Sequence, residues 1–186
     1  MSRPGLAAVA TLTVAMTVAT PLPLEAAGAE RPTEYEVKAA FLYNFAKFVK
    51  WPDDEPLGAT FVIAVLGTDP FGPALDSTLA GKTVLDRSVE IRRIDSVAAA
   101  SGAQILFIGS SEKARLGEIV TALGTARVLT VGDMDGFVER GGMIGFKLRQ
   151  EVVRFDINLD QVNRAGLKMS SQLVRLAQRV ISREGG

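Results

Sequence analysis

Site chemistry needs groups that titrate, coordinate or attack, and this chain contains neither histidine nor cysteine. Their absence removes the usual proton shuttle near neutral pH, the Ser-His and Cys-His nucleophile arrangements, and most transition-metal sites. Carboxylates, hydroxyls and lysines remain, and three short motifs offer them. "AGKT", Ala80 to Thr83, ends like a phosphate-binding loop, whose glycine amides wrap phosphate oxygens and whose lysine reaches them. Asp76 stands where the first glycine of that loop is needed, and the motif follows a helical stretch, so a helix-ending turn is the better account. "GDMDG" sets Asp133 and Asp135 two apart, as at the start of a calcium loop, but the later acceptors and the closing bidentate glutamate are missing. Turn formation explains it. "GGMIG", Gly141 to Gly145, leads into a strand and not a helix, which rules out a dinucleotide fingerprint. No matched acid and base pair, metal-ligand set or cofactor loop emerges, so catalysis, a bound metal and a cofactor are not expected.

The elements that would position any site read as an alternation. Val37, Phe41, Phe45 and Phe48 recur at helical spacing between Thr33 and Trp51, and Pro52 closes that helix. "TFVIAVLG", "QILFIG" and "ARVLTVGD" are short apolar runs ended by or near glycine, as strands buried on both faces should be. "RSVEIRRI" reads as a more exposed strand. "DPFGPALDSTLAG" supplies a turn and a short helix stopped at Gly81, and Ser110 or Ser111 caps another, with Glu112 in its first turn. Strands alternating with helices predict a mostly parallel sheet with helices on both faces. Met143–Leu148 and Val152–Ile157 form a hairpin that gives the sheet an antiparallel edge. "SSQLVRLAQRVIS" places Leu173, Leu176, Ala177, Val180 and Ile181 on one face of a helix that closes the core.

In an open sheet of this class, ligands bind outside the carboxyl ends of the strands. Those ends are "GTDPFG", "GSSEK" and "GDMDG", which makes Asp69, Ser110 and Asp133 the polar contacts of a candidate small-molecule crevice. A wheel of the first helix gives a second candidate. Val37, Phe41, Phe45 and Phe48 cluster on a core face, while Ala39, Tyr43, Lys47 and Lys50 lie opposite. An outward aromatic rimmed by lysines suits a protein interface. Phe71 and Phe137, in loops after strands, join Tyr43, Lys47 and Lys50 as candidate partner contacts, with core packing as the alternative for both phenylalanines.

Ahead of these elements, Arg3 precedes an uncharged apolar run from Leu6 to Ala19, followed by prolines and small residues. That is the layout of a secretory signal peptide; the run is too short to span a bilayer. Cleavage is expected before Glu30, with Ala27 as an alternative site, leaving residues 30–186 as one domain. The chain carries 21 basic and 21 acidic residues, so nothing in its overall charge draws it to nucleic acid.

Six stretches in series, "EYEVKAAFLYNFAKFVKWP", "GTDPFG", "QILFIGSS", "VLTVGDMDGFVERGGMIGF", "VRFDIN" and "AGLKMSSQLVRLA", resemble the YfiR family of periplasmic proteins and cover nearly all of the chain after the leader. The resemblance implies an α/β sandwich that regulates and does not catalyse. It implies a periplasmic protein that binds and represses the periplasmic sensor region of an inner-membrane diguanylate cyclase, YfiN, and that is captured in turn by an OmpA-like outer-membrane lipoprotein, YfiB. Dimers are known in the family. The redox control associated with family cysteines does not carry over, since Ala103 stands in the "GAQILFIG" block where relatives often have cysteine. The alternative function is a small-molecule sensor module serving another membrane receptor or kinase.

Overall fold

A computed structural model describes residues 31–52 and 58–182. The expected leader lies outside the described residues. Helix α1 (Glu34–Phe48) starts at a reciprocal cap: the Thr33 hydroxyl accepts from the Glu36 amide at 3.3 Å, and the Glu36 carboxylate accepts from the Thr33 amide at 2.6 Å. The helix stops at Phe48, three residues earlier than the spacing suggests. Val49–Lys50 leave it as strand β1, which pairs antiparallel with a later strand, Lys168–Met169.

Strands β2 (Phe61–Leu66), β3 (Thr83–Val84), β4 (Arg87–Ile94), β5 (Ile105–Ile108), β6 (Leu129–Gly132), β7 (Ile144–Arg149), β8 (Val152–Asn158), β9 (Lys168–Met169) and β10 (Arg179–Ile181) follow in chain order. Eight of them form one sheet in the order β10-β8-β7-β6-β5-β2-β4-β3, and β1 pairs with β9 apart from it. The neighbours β4-β2, β2-β5, β5-β6, β6-β7 and β8-β10 are parallel, while β3-β4 and β7-β8 are antiparallel. This is the expected mostly parallel α/β sheet with its antiparallel hairpin.

Helices α2 (Pro73–Leu79), α3 (Leu116–Leu123), α4 (Leu159–Arg164) and α5 (Ser171–Leu176) cover both faces. Alternation along β2 shows how. Phe61, Ile63 and Val65 join Leu42 and Phe45 of α1 and Leu75 of α2 in one core, whereas Val62, Ala64 and Leu66 meet Leu116 and Ile119 of α3 in the other. Both faces of the central strands are therefore shielded from water, which is why their sequences lack alternation.

Three expectations need correction. The buried stripe of α1 is Lys38, Ala39, Leu42, Phe45 and Ala46, not the phenylalanine row; Val37, Phe41 and Phe48 are half-buried on its flank. The helix lies across the sheet and uses a wide face, so Ala39 and Leu42 become core residues. The C-terminal helix is only six residues long: α5 ends at Leu176, and Arg179–Ile181 is extended beside β8. Leu173 is buried, but Leu176 and Val180 are 66% and 37% exposed. The open edge of β8 outcompetes helix continuation, because the Gln178 amide reaches the Phe155 carbonyl at 2.8 Å and Arg179 grips Asp156 at 2.9 Å. Third, neither Ser110 nor Ser111 caps a helix. Gly109 opens a 3-10 stretch, Ser110–Arg115, that runs into α3.

Candidate functional site

Two regions bear on function, and the first surrounds Tyr43. Its ring is half-buried against the α1 core, and its hydroxyl donates to the Thr83 carbonyl of β3 at 3.2 Å. The remaining ring surface lies between two ammonium groups, Lys47 Nζ and Lys82 Nζ, each 5.3 Å from the ring centre. Such contacts at exposed positions contribute about 0.5–1 kcal/mol each. Lys50 is exposed on β1, and the antiparallel register sets it directly opposite Lys168 of β9. Like charges directly opposite on paired strands are destabilising. None of Lys47, Lys50, Lys82 and Lys168 forms an ion pair among the described residues. The fold thus sets two exposed lysines, Lys47 and Lys82, over one aromatic and two more, Lys50 and Lys168, opposite each other on the β1–β9 ladder. The wheel of α1 found three members of this group; Lys82 and Lys168 come from loops and strands that only pairing brings near, although Lys82 lay inside the discounted "AGKT".

Phe71 and Phe137 are not at that surface. Phe71 is 3% exposed and meets Phe107 edge-on with ring centres 4.7 Å apart. Phe137 is 1% exposed and lies over the backbones of Gly132 and Gly142. Both rings take the core alternative.

The second region is the carboxyl end of the sheet. Asp69 accepts from the Phe71 amide at 2.7 Å and from Arg93 Nε at 2.7 Å, and Arg93 also holds Asp76 at 2.5 Å. Asp76 holds its proton less tightly as a result, its carboxyl falling below the usual range through its hydrogen bond to Arg93. Ser110 is exposed on the 3-10 turn. The loops after β2 and β5 close on each other: Gly109 donates to the Leu66 carbonyl at 2.9 Å, and the Thr68 amide donates to Ser111 Oγ at 3.0 Å. A Cβ on Gly67 would fall 2.4 Å from that oxygen, so the approach requires glycine. Asp69, Ser110 and Asp133 share one end of the sheet, but Asp69 is ion-paired with Arg93 and Asp133 with Lys38, and the loops after β2 and β5 are hydrogen-bonded to each other.

Asp133 belongs to a cluster that spacing did not reveal. Its Oδ2 accepts from Lys38 Nζ at 2.7 Å and from the Tyr35 hydroxyl at 3.1 Å, while Glu34 reaches the same ammonium at 2.5 Å. Lys38 is buried, and its ammonium sits 4.4 Å from the Tyr35 ring centre. Burial works against the charge on Lys38, but the hydrogen bonds it donates to Asp133 and Glu34 outweigh it and raise the pKa. Tyr35 is pushed up as well, first by burial and then by the Asp133 charge. The only advance sign was the i,i+4 spacing of Glu34 and Lys38, which fits an exposed helix pair equally well.

A cavity of about 660 Å³ opens at the other end of the sheet, before β5 and β6, where Trp51, Ala98, Gln104, Ala122 and Val128 are among its walls. Trp51 packs edge-on against Phe61, and its buried indole N–H has no hydrogen-bond partner among the described residues.

Comparison with solved structures finds the same fold at low identity. A conserved domain protein from Vibrio cholerae O1 biovar El Tor superimposes with a TM-score of 0.58 at 10% identity, over 80% of this chain and 60% of that one. The ABC domain in complex with L-Trp from Streptococcus pneumoniae gives a TM-score of 0.50 at 11% identity, over 65% of this chain and 55% of that one. The chain thus spans less than two thirds of either. No curated protein matches it. The family model described as YfiR/HmsC-like matches residues 35–178, from the first turn of α1 to the approach to β10, and the chain belongs to that family.

Proposed function

We propose that this chain is a periplasmic regulator that binds the periplasmic sensor region of an inner-membrane diguanylate cyclase and lowers cyclic di-GMP signalling, with Tyr43, Lys47, Lys50, Lys82 and Lys168 as its contact surface. The family is regulatory and non-catalytic and is associated with cyclic di-GMP signalling, which supports the role. The observation that carries the surface is the pair of lysines over a half-buried aromatic, Lys47 and Lys82 at Tyr43, together with Lys50 and Lys168 facing each other across a ladder at a cost to the fold, none of the four ion-paired among the described residues. An interface core of one amphipathic aromatic with a charged rim fits partner binding. Capture by an OmpA-like lipoprotein would end repression, and a homodimeric state belongs to the same reading. The thermodynamics need no catalysis. A binder that prefers the inactive receptor shifts the receptor population, and removing the binder returns it.

The test pairs cyclic di-GMP levels, with and without the gene, with crosslinking capture of membrane proteins by the secreted chain and by a Lys47→Glu/Lys50→Glu variant. Deletion should raise cyclic di-GMP, the chain should capture a cyclase, and the variant should capture at least tenfold less with an unchanged melting temperature. Unchanged cyclic di-GMP and capture of a different membrane protein would replace the partner. Equal capture by the variant would move the surface.

The alternative, a small-molecule sensor module for another receptor or kinase, draws on the 660 Å³ cavity and the indole N–H of Trp51, which has no partner among the described residues, and not on Asp69, Ser110 and Asp133, whose two carboxylates are held by Arg93 and Lys38. A cognate ligand at a hundred times its dissociation constant adds about 2.7 kcal/mol of stability, which a thermal-shift panel detects. Silence across the panel removes this reading.

A further inference from the structure

The β3–β4 hairpin joins two features that folding alone disfavours, and both fall on one side chain. Val84 stands opposite Arg87 on the ladder, so the turn between them is the two-residue pair Leu85 and Asp86, at φ of 51° and 60°. Such a turn holds both residues in the left-handed region, where glycine, asparagine and aspartate are at ease and a larger side chain crowds the backbone. Asp86 suits its place, and Leu85 does not. The β7–β8 turn also lacks glycine, but its Gln150 and Glu151 are polar. Of the non-glycine residues with positive φ among the described residues, Leu85 alone is apolar. It is also 56% exposed, so burial does not offset the strain.

The tip stands beside the Tyr43 group. Lys82 and Thr83 lead into the hairpin, and both meet Tyr43: the hydroxyl donates to the Thr83 carbonyl at 3.2 Å, and Lys82 Nζ lies 5.3 Å from the ring centre. Leu85 follows Thr83 by two residues, so their Cα atoms are at most about 7 Å apart. Cations outnumber acids here. Lys82 and Arg87 flank the turn and Lys47 lies over the Tyr43 ring, and none of the three has an ion pair among the described residues. Asp86 is the one acid from Lys82 to Arg87. Arg87 Nη1 is buried without a hydrogen-bond partner among the described residues, a second cost in the same hairpin.

We propose that Leu85 is the apolar anchor of the contact surface at Tyr43, and that it enters an apolar pocket on the membrane partner whose rim carries carboxylates. The anchor rests on the reading of Tyr43 and its lysines as that surface. An apolar side chain held out on a tight two-residue turn loses little freedom on binding and is fully desolvated in a pocket, which is how a few residues come to dominate an interface. Backbone strain of this kind persists where function holds it in place. The carboxylate rim follows from Lys47, Lys82 and Arg87, which attract opposite charge and repel their like. A second copy of this chain, docked tip to tip, would set these cations against themselves, so a partner of opposite charge is the better occupant.

Leu85→Asn tests the anchor, because asparagine accepts the left-handed region and removes the apolar surface. The probe is the full-length inner-membrane diguanylate cyclase in nanodiscs. The variant should melt about 2 °C or more above the parent chain and bind the probe at least tenfold more weakly, while Leu85→Met, which keeps the apolar surface, should bind within about threefold of the parent. Higher stability with unchanged affinity would overturn the proposal by leaving the leucine no role in binding, and a lower melting temperature would overturn it by making Leu85 a packing residue. A parent chain that sediments as a dimer beside a monomeric Leu85→Asn chain would overturn it as well, by seating a second copy on the tip. Lys47→Glu/Lys50→Glu separates the anchor from the surface. If that variant loses binding and Leu85→Asn keeps it, the surface stands and the anchor fails; if both bind like the parent, or the parent does not bind the cyclase, the surface reading fails and the anchor with it.

Discussion

Lys38 belongs to the buried stripe of α1 with Ala39, Leu42, Phe45 and Ala46, and its environment explains why it can stay charged there. Two carboxylates reach its ammonium and the Tyr35 ring lies beside it, so the desolvation cost is met by hydrogen bonds that exist only in the folded state. Lys38→Met would leave Asp133, 10% exposed, without its cation, and should cost about 3 kcal/mol in urea unfolding. The same contacts set a pH dependence. Lys38 and Tyr35 both have raised pKa values, so the stability each contributes is complete below its unfolded pKa and is lost as pH rises through its folded one. With unfolded values of about 10.4 and about 10, the urea midpoint should hold to roughly pH 9.5 and then fall. Lys38→Met should show a shallower alkaline fall than the parent chain. An equal slope in both would mean that other groups govern alkaline unfolding.

At the scale of elements, the glycines of "GDMDG" and "GGMIG" serve packing and not ligand chemistry. The ring of Phe137 lies between Gly132 at the end of β6 and Gly142 ahead of β7, where added Cβ atoms would approach it to 2.6 and 2.2 Å. With the ring 1% exposed, it has nowhere to retreat. Gly142→Ala should therefore destabilise by about 1–3 kcal/mol, the usual cost of overpacking, and Phe137→Leu should restore part of the loss; a neutral Gly142→Ala would show that the ring is mobile. Reading elements from sequence succeeds where the pattern is local and fails where a distant partner decides. The runs "FVIAVL" and "ILFI" and the hairpin were legible because burial on two faces and a two-residue link leave clear marks. The ends of α1 and α5 were not. Val49–Lys50 and Arg179–Ile181 have helical-looking spacing, and only the strands Lys168–Met169 and Val152–Asn158 supply the competing hydrogen bonds. Tyr43 and Lys47 could be found on a helical wheel, whereas Lys82 and Lys168 join them through tertiary pairing that no local pattern records.

For the whole molecule, a net charge of zero conceals segregation. Among the described residues, many of the acids are committed: Asp69 and Asp76 to Arg93, Asp133 and Glu34 to Lys38, Asp156 and Glu139 to Arg179. Lys47 and Lys82 at Tyr43 and Lys50 and Lys168 on the β1–β9 ladder have no such partners among the described residues, so their field extends into solvent and can act on an approaching molecule even though the chain as a whole is neutral. Exposed charges of this kind change encounter rates more than they change lifetimes. The association rate with the membrane partner should consequently fall at least tenfold between roughly 10 mM and 150 mM salt, as the screening length shrinks from about 30 Å to about 8 Å, while the dissociation rate changes little. Lys47→Glu/Lys50→Glu should lower the rate at low salt and flatten its salt dependence. Surface-immobilised sensor region with this chain in flow measures both rates. A steep salt dependence that survives the substitutions would place the steering charges elsewhere, and the exposed arginines of the β7–β8 hairpin would be the next to reverse.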